Sequence, residues 1–214
     1  MNNLMGEDPG FALETALVAP GRVIAWRRWR LCPDPSGRPR LGSAHEDQIW
    51  ESGSLRAECD PSRTWSYRLA LDPDEAHQSP AAGCRCGIYT YRTAELARPM
   101  GPGIWVHGQV VIGGPMFLTD SGYRSREAAI DGPLHLTVEC VGGDDLYSPT
   151  RCLETPVLVK YGQKAYYPVC SSHRSAPVHV AIMGERNVAD VLEAAAVLGV
   201  NLGTSIVMPT PMLV

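Results

Sequence analysis

The sequence lacks any apolar run approaching the roughly 18–20 residues that a membrane-crossing helix needs, so no membrane partner is expected. Its opening stretch, MNNLMGEDPG, has no basic segment followed by an apolar one. It therefore does not read as a secretory signal, and a cytoplasmic location is expected. Internal repeats and low-complexity runs are missing too. The chain has no excess of basic residues: its net charge of −4 argues against a globally basic nucleic-acid binder and leaves only local patches. H-E-x-x-H, G-x-S-x-G and H-x-E with P-C-x-x-C do not occur, which removes the common zinc-hydrolase and deaminase signatures. Gly142-Gly143 precede Asp144-Asp145 without a phosphate-loop lysine, so that segment reads as a hairpin turn.

What is present is an ordinary globular composition, 44% hydrophobic and 20% charged over 214 residues. That is enough chain for one substantial core, or a core with a smaller appended unit. The 21 glycines and 18 prolines favour many short strands and turns. Strands are expected over RVIAWRRWRLC (22–32), GIWVHGQVVIGG (103–114, closed by Gly113-Gly114-Pro115), PLHLTVECVGG (133–143), TPVLVKYG (155–162) and AYYPVC (165–170). Alternation puts Leu134, Leu136, Val138 and Cys140 on one face. PDPSGRPRLGS (33–43) reads as turns alone, and HEDQIWESGSLRAEC (45–59) as a hairpin returning at Ser52-Gly53. CGIYTYRTAELA (86–97) starts as a strand and turns at Thr93, a suitable N-cap. A second hairpin turns at Asp120-Ser121-Gly122. One amphipathic helix is expected late, with Asn187 as N-cap, Val188, Val191, Leu192, Ala195 and Leu198 at helical spacing, and Gly199 closing it.

The expected fold is α+β and β-rich: small antiparallel sheets or a partial barrel, with one C-terminal amphipathic helix. The expected segments are a leader over 1–20, a β-rich zinc-stabilised unit over 21–135, and a β-plus-helix unit over 136–214. The apolar tail SIVMPTPMLV (205–214) is uncharged and interrupted by Pro209 and Pro211. It must lie along an edge or groove, and placing it on a neighbouring subunit makes a homo-oligomer the expectation.

Seven cysteines, an odd number, in a chain without an export signal favour thiols or metal ligands over a disulfide framework. Cys59, His77, Cys84 and Cys86 form C-x17-H-x6-C-x-C, a donor set that suits tetrahedral zinc. The C-x-C pair needs a bend to share a metal, which Gly83 and Gly87 would permit. The alternatives are unrelated buried thiols, a strained disulfide, and a nucleophilic Cys84 or Cys86 with His77 or His107 as base. Cys140, Cys152, Cys170 and His173 make a second, looser set whose CSSH ending has knuckle-like spacing.

RVIAWRRWRL, HQSPAAGCRCGIYTY, GIWVHGQVV and DSGYRSREAAI together resemble a family of actinobacterial and actinophage proteins. The family pattern is a tryptophan strand, a lone cysteine, H-x-x-P before C-x-C-G-[IF]-Y, and a closing G-Y-R. The matching positions are Trp26 or Trp29, Cys59, His77 with Pro80, Cys84 to Tyr89, Gly108 and Gly122-Tyr123-Arg124. The resemblance covers residues 22–131. It implies a four-ligand zinc site and no reaction. The chain departs from the pattern at His107, where an aromatic usually stands, and in the longer loop IGGPMFLTD, which lacks the pattern's histidine.

Arginines at 22, 27, 28, 30, 38 and 40 face a single acid, Asp34, with Trp26 and Trp29 between them. Arginine with aromatics is the chemistry of nucleic-acid contact. The expected ligand or nucleic-acid surface is Trp26, Arg27, Arg28, Trp29, Arg30, Tyr123 and Arg124, and Arg124, Arg126, Tyr89 and Tyr91 are candidates for an anion pocket. Trp26 and Trp29 must face opposite sides of one strand, so one of them is a core residue. The functional expectation is a non-catalytic binding or assembly protein with a structural zinc, whose partner is a protein, itself, or nucleic acid. The alternatives are a zinc- or cysteine-dependent enzyme and a phage-related self-assembling component.

Overall fold

The computed structural model describes residues 15–17 (backbone only), 22–44, 48–59, 77–81, 84–99, 101–142, 152, 154–162, 165–175 and 181–208. Its strands are β1 (Thr15–Leu17), β2 (Val23–Pro33), β3 (Pro39–Ser43), β4 (Ile49–Trp50), β5 (Ser54–Arg56), β6 (Ile88–Tyr91), β7 (Gly103–Leu118), β8 (Gly122–Glu139), β9 (Leu158–Tyr161), β10 (Tyr166–Val169), β11 (Gly184–Asn187) and β12 (Ile206–Val207). The helix is α1 (Val188–Asn201). The fold is β-rich with one helix near the C-terminus, as the composition and spacing predict. The large sheet runs β1-β7-β8-β6-β2-β3-β4, with β5 and β12 also on β8 and a further β7–β2 pairing; the small sheet runs β10-β9-β11.

Two compact units divide the chain, and each draws on three stretches because β2, β7 and β8 contribute residues to both. The first holds residues 1–27, 54–97 and 109–131. In it β6 pairs antiparallel with β8, from Ile88 opposite Ser125 to Tyr91 opposite Gly122, and β5 pairs with β8 through Leu55 and Ala128. Ala25, Ile88, Val110, Ile112, Met116 and Ala128 form its apolar interior. The turn at Asp120-Ser121-Gly122 forms as expected, with the Thr119 N–H donating to the Gly122 carbonyl at 3.0 Å. A Cβ at Gly122 would lie 1.8 Å from the Thr90 carbonyl oxygen, so only glycine admits this strand pairing.

The second unit holds residues 28–53, 98–108 and 132–214. There β2 pairs with β3, Leu31 opposite Leu41, and β3 with β4, Leu41 opposite Trp50. Trp29 and Trp50 are fully enclosed and meet edge-to-face at 5.3 Å. Each such indole removes on the order of 200 Å² from water, roughly 5 kcal/mol of hydrophobic stabilisation. The buried Tyr166 hydroxyl donates to the Gly37 carbonyl at 2.9 Å, tying the small sheet to the β2–β3 turn.

PDPSGRPRLGS is not all turn: Asp34 to Arg38 make the turn, closed by Asp34 Oδ1 accepting from the Ser36 and Arg38 N–H groups, and Pro39–Ser43 form β3. The two arms around Ser52-Gly53 do not pair with each other, since β4 goes to β3 and β5 to β8. Gly113-Gly114-Pro115 does not end its strand; β7 runs on to Leu118, and Gly114 takes φ +72° within it. The segments on either side of Asp131-Gly132-Pro133 are one strand, β8. Of the Leu134 face, Leu134, Leu136 and Cys140 are buried and Val138 is half-buried. The helix starts after Asn187 but passes Gly199, whose missing Cβ allows Ile206 to approach (a Cβ would sit 2.9 Å from Ile206 Cγ1). The left-handed closing glycine is Gly203, φ +74°. Of the apolar tail, Ile206 and Val207 pair parallel with Leu134 and His135 of their own chain, and residues 209–214 lie outside the described residues.

Candidate metal centres

Two Cys3His groups each bring four ligand atoms within 4.8 Å of one another. The first is Cys59, His77, Cys84 and Cys86, all in the first unit; the second is Cys140, Cys152, Cys170 and His173, all in the second. They use six of the seven cysteines. The seventh, Cys32, is buried on β2, and a Cβ at Gly42 would come 2.5 Å from its sulfur. None of the cysteines forms a disulfide.

In the first centre Cys59 follows β5 and the Cys84-Arg85-Cys86 bend leads into β6, so two strands that both pair with β8 deliver three of the four ligands. His77 arrives on the segment containing the cis Ser79–Pro80 peptide. Cys59 and Cys84 sulfurs lie 3.8 Å apart, and Cys86 Sγ lies 3.4 Å from His77 Nε2. The Cys86 N–H donates to Cys84 Sγ at 3.5 Å. The C-x-C pair is not in a strand, and Gly87, φ +130°, forms the bend beside it. Gly83 lies outside the described residues.

Arg124 holds this loop. It is completely buried, and its guanidinium donates to the carbonyls of Cys84, Cys86 (2.8 Å) and Ala81 (3.0 Å) while lying 4.8 Å over the Phe117 ring. A Cβ at Gly87 would come 2.7 Å from Arg124 Cγ and 3.2 Å from Pro80 Cβ. Gly87→Ala therefore combines left-handed strain with displacement of the clamp. It is expected to cost about 1–3 kcal/mol, read as a lower denaturation midpoint; wild-type stability would show that the loop does not need this bend.

The second centre staples three loop ends: Cys140 closes β8, Cys152 precedes β9, and Cys170 with His173 follow β10. The Cys152 and Cys170 sulfurs are 3.8 Å apart, and His173 Nδ1 lies 3.1 Å from Cys170 Sγ and 3.6 Å from Cys140 Sγ. The N–H groups of Gly142 and Cys170 donate to Cys140 Sγ, each at 3.4 Å. Beside it, the Ser172 hydroxyl reaches both Glu154 oxygens at 2.8 Å. That hydrogen bond, then contact with Cys170, holds the Glu154 carboxyl below its ordinary value.

The donor sets fit a tetrahedral cation. Zn–S bonds of about 2.3 Å place tetrahedral sulfurs about 3.8 Å apart, the separation found in both centres. As bare thiols the groups resist ionisation. Burial, then the neighbouring Cys84, pushes Cys59 up to about 12; burial, then Glu154, pushes Cys170 up to about 12. Burial also raises Cys86, against the lowering pull of the Ser79 hydroxyl and the Ala81 N–H. A bound divalent cation inverts this balance, because a coordinating thiol gives up its proton outright. The N–H donors then face thiolates, which is the hydrogen bonding a ligated sulfur wants.

The arginine and aromatic surface does not assemble as the sequence suggests. Arg27 and Trp29 share the inward face of β2, Arg27 donating to the Tyr89 carbonyl, and Arg124 is the buried clamp. Trp26, Arg28, Arg30 and Tyr123 are half-buried. Arg28 donates to the Arg98 carbonyl at 2.9 Å and Arg30 lies 4.9 Å over the Trp105 ring. Of the candidate anion pocket, Arg126 bonds Gln78 Oε1 at 3.0 Å and the Tyr89 hydroxyl bonds the Arg85 carbonyl at 3.1 Å. His107 stands beside His135, ring centroids 5.5 Å apart. The charge of Arg124 suggests a surface residue, but its even spacing from the buried Gly122 on β8 is the signal for its inward clamp role.

Compared with protein families, with curated proteins and with solved structures, the chain matches none.

Proposed function

We propose that the chain binds two structural zinc ions, one in each Cys3His centre, and is a binding or assembly protein rather than an enzyme. The observation that carries this reading is the ligand count. Each centre supplies four protein ligands, which fills a tetrahedral zinc, whereas catalytic sites keep a position open for water or substrate. Zinc, once bound, supplies cross-linking between strands and loops; the protein's own groups orient the sulfurs and neutralise charge around them.

The partner proposed is a protein or a second copy of this chain. Arg27 and Arg124 are turned inward, and Arg28 and Arg30 are engaged with Arg98 and Trp105, which removes much of the cationic face that nucleic acid would need. The membership in the actinobacterial and actinophage family stays part of this proposal and rests on the residue pattern between 22 and 131.

Metal analysis decides the reading. Protein purified without added metal or a metal-binding tag is expected to carry two zinc ions per chain, and His173→Ala about one. Substoichiometric metal in the wild type would overturn it, as would a colourless response of the cobalt-substituted protein in the region of thiolate charge transfer.

A further inference from the structure

The two centres differ in the charge placed against them. Behind the first lies the buried Arg124 guanidinium, bonded to the carbonyls of Ala81, Cys84 and Cys86. Beside the second lies Glu154, an exposed carboxylate two residues after Cys152. Its oxygens are both 2.8 Å from the hydroxyl of Ser172, which sits inside the Cys170–His173 knuckle.

Zinc held by three thiolates and an imidazole carries one net negative charge. A cation behind such a unit stabilises it. A carboxylate beside it raises the negative charge and also offers an oxygen, a donor that zinc accepts, with expansion to five ligands. Incoming oxygen weakens the existing zinc–thiolate bonds, so a carboxylate tethered to the ligand loop opens a path for exchange; at the first centre the exposed Glu58, next to Cys59, has no hydrogen bond to the ligand loop among the described residues. Cys152, half-buried, adds access at the second centre, although Cys59 in the first centre is half-buried as well. Access is thus shared; a carboxylate hydrogen-bonded into the ligand loop is not.

We infer that Cys140, Cys152, Cys170 and His173 form an exchangeable zinc centre with Glu154 as its auxiliary ligand, while Cys59, His77, Cys84 and Cys86 form a permanent one. This rests on the two-zinc reading above. Its consequence is that the ends of β8, β9 and β10 come under the control of available zinc, whereas the first unit does not.

The test uses the zinc-loaded full chain with excess EDTA and a colorimetric zinc indicator. Release is expected in two phases of one equivalent each. Alkylation with N-ethylmaleimide after the fast phase, followed by peptide mapping, should label Cys140, Cys152 and Cys170 and spare Cys59, Cys84 and Cys86. Glu154→Gln, at an exposed position, should slow the fast phase about tenfold, the lower end of the effect of groups around a metal's ligands, and leave the slow phase unchanged. A single phase, label on the first set, or an unchanged rate in Glu154→Gln overturns the inference while leaving two structural zinc ions in place. Fewer than two zinc ions in the starting protein overturns both.

Discussion

Cys84→Ser is expected to remove one zinc ion and lower the melting temperature by roughly 10–20 °C. The magnitude follows from the loss of a metal site, among the few single changes that exceed about 4–5 kcal/mol, converted at about 2–4 °C per kcal/mol for a chain of this size. Cys84 has neighbours on every side of the centre: its sulfur lies 3.8 Å from that of Cys59 and accepts from the Cys86 N–H, and its carbonyl accepts from Arg124. Serine keeps the size of the side chain, so the loss reads coordination rather than packing. Differential scanning calorimetry with parallel metal analysis checks it. Cys32→Ser is the control: buried but outside both centres, it should keep both zinc ions. An unchanged melting temperature in Cys84→Ser would remove the first centre from the folding energetics.

Arg124→Met is expected to destabilise the protein by roughly 3–5 kcal/mol, the range for removing one partner of a buried charged arrangement. Methionine retains much of the arginine's stem, but removes the guanidinium that lies over Phe117 and leaves the carbonyls of Ala81, Cys84 and Cys86 without this donor. Each unsatisfied buried carbonyl costs about 1–3 kcal/mol, and those three belong to the loop that presents two zinc ligands. The same variant should weaken zinc binding at the first centre by about 10–100-fold without changing the second, measured by competition with a chelator of known affinity. Arg124→Lys should recover little, because an ammonium cannot span three carbonyls with the guanidinium's fork geometry. Equal loss at both centres would mean the side chain supports general stability rather than the first loop.

The strands were legible where one face is buried and the other is not. Along β2, alternation separates Ala25, Arg27, Trp29 and Leu31 from Trp26, Arg28 and Arg30, which is the period-two pattern of a strand with one side in a core. The same parity puts Arg27 inward, and reading it by charge alone missed this. Proline and glycine misled in the opposite direction: Gly113-Gly114-Pro115 and Asp131-Gly132-Pro133 look like strand ends, yet β7 and β8 run through them. β7 and β8 are hydrogen-bonded neighbours in the large sheet, a setting that local propensity does not anticipate. Gly199 looks like a helix end because left-handed closure is a common use of glycine near a C-terminus; in the structure it is a place of close approach to Ile206, and Gly203 makes the closure.

The sequence by itself determined which donors exist and how they are grouped: three cysteines and one histidine between residues 59 and 86, and three and one again between 140 and 173. Residue type dictates this, since thiolate and imidazole are soft ligands wherever they lie. It also determined the alternation of β2 and the amphipathic helix near the C-terminus, because those patterns are local. Only the tertiary structure decided that each set converges within 4.8 Å: in the first, the pairing of β5 and β6 with β8 brings Cys59 to Cys84, 25 positions further along the chain. It likewise decided that Arg124 faces the backbone of one centre and that Glu154 stands beside the other. A charged side chain takes its role from what long-range pairing sets against it, and no spacing along the chain records that.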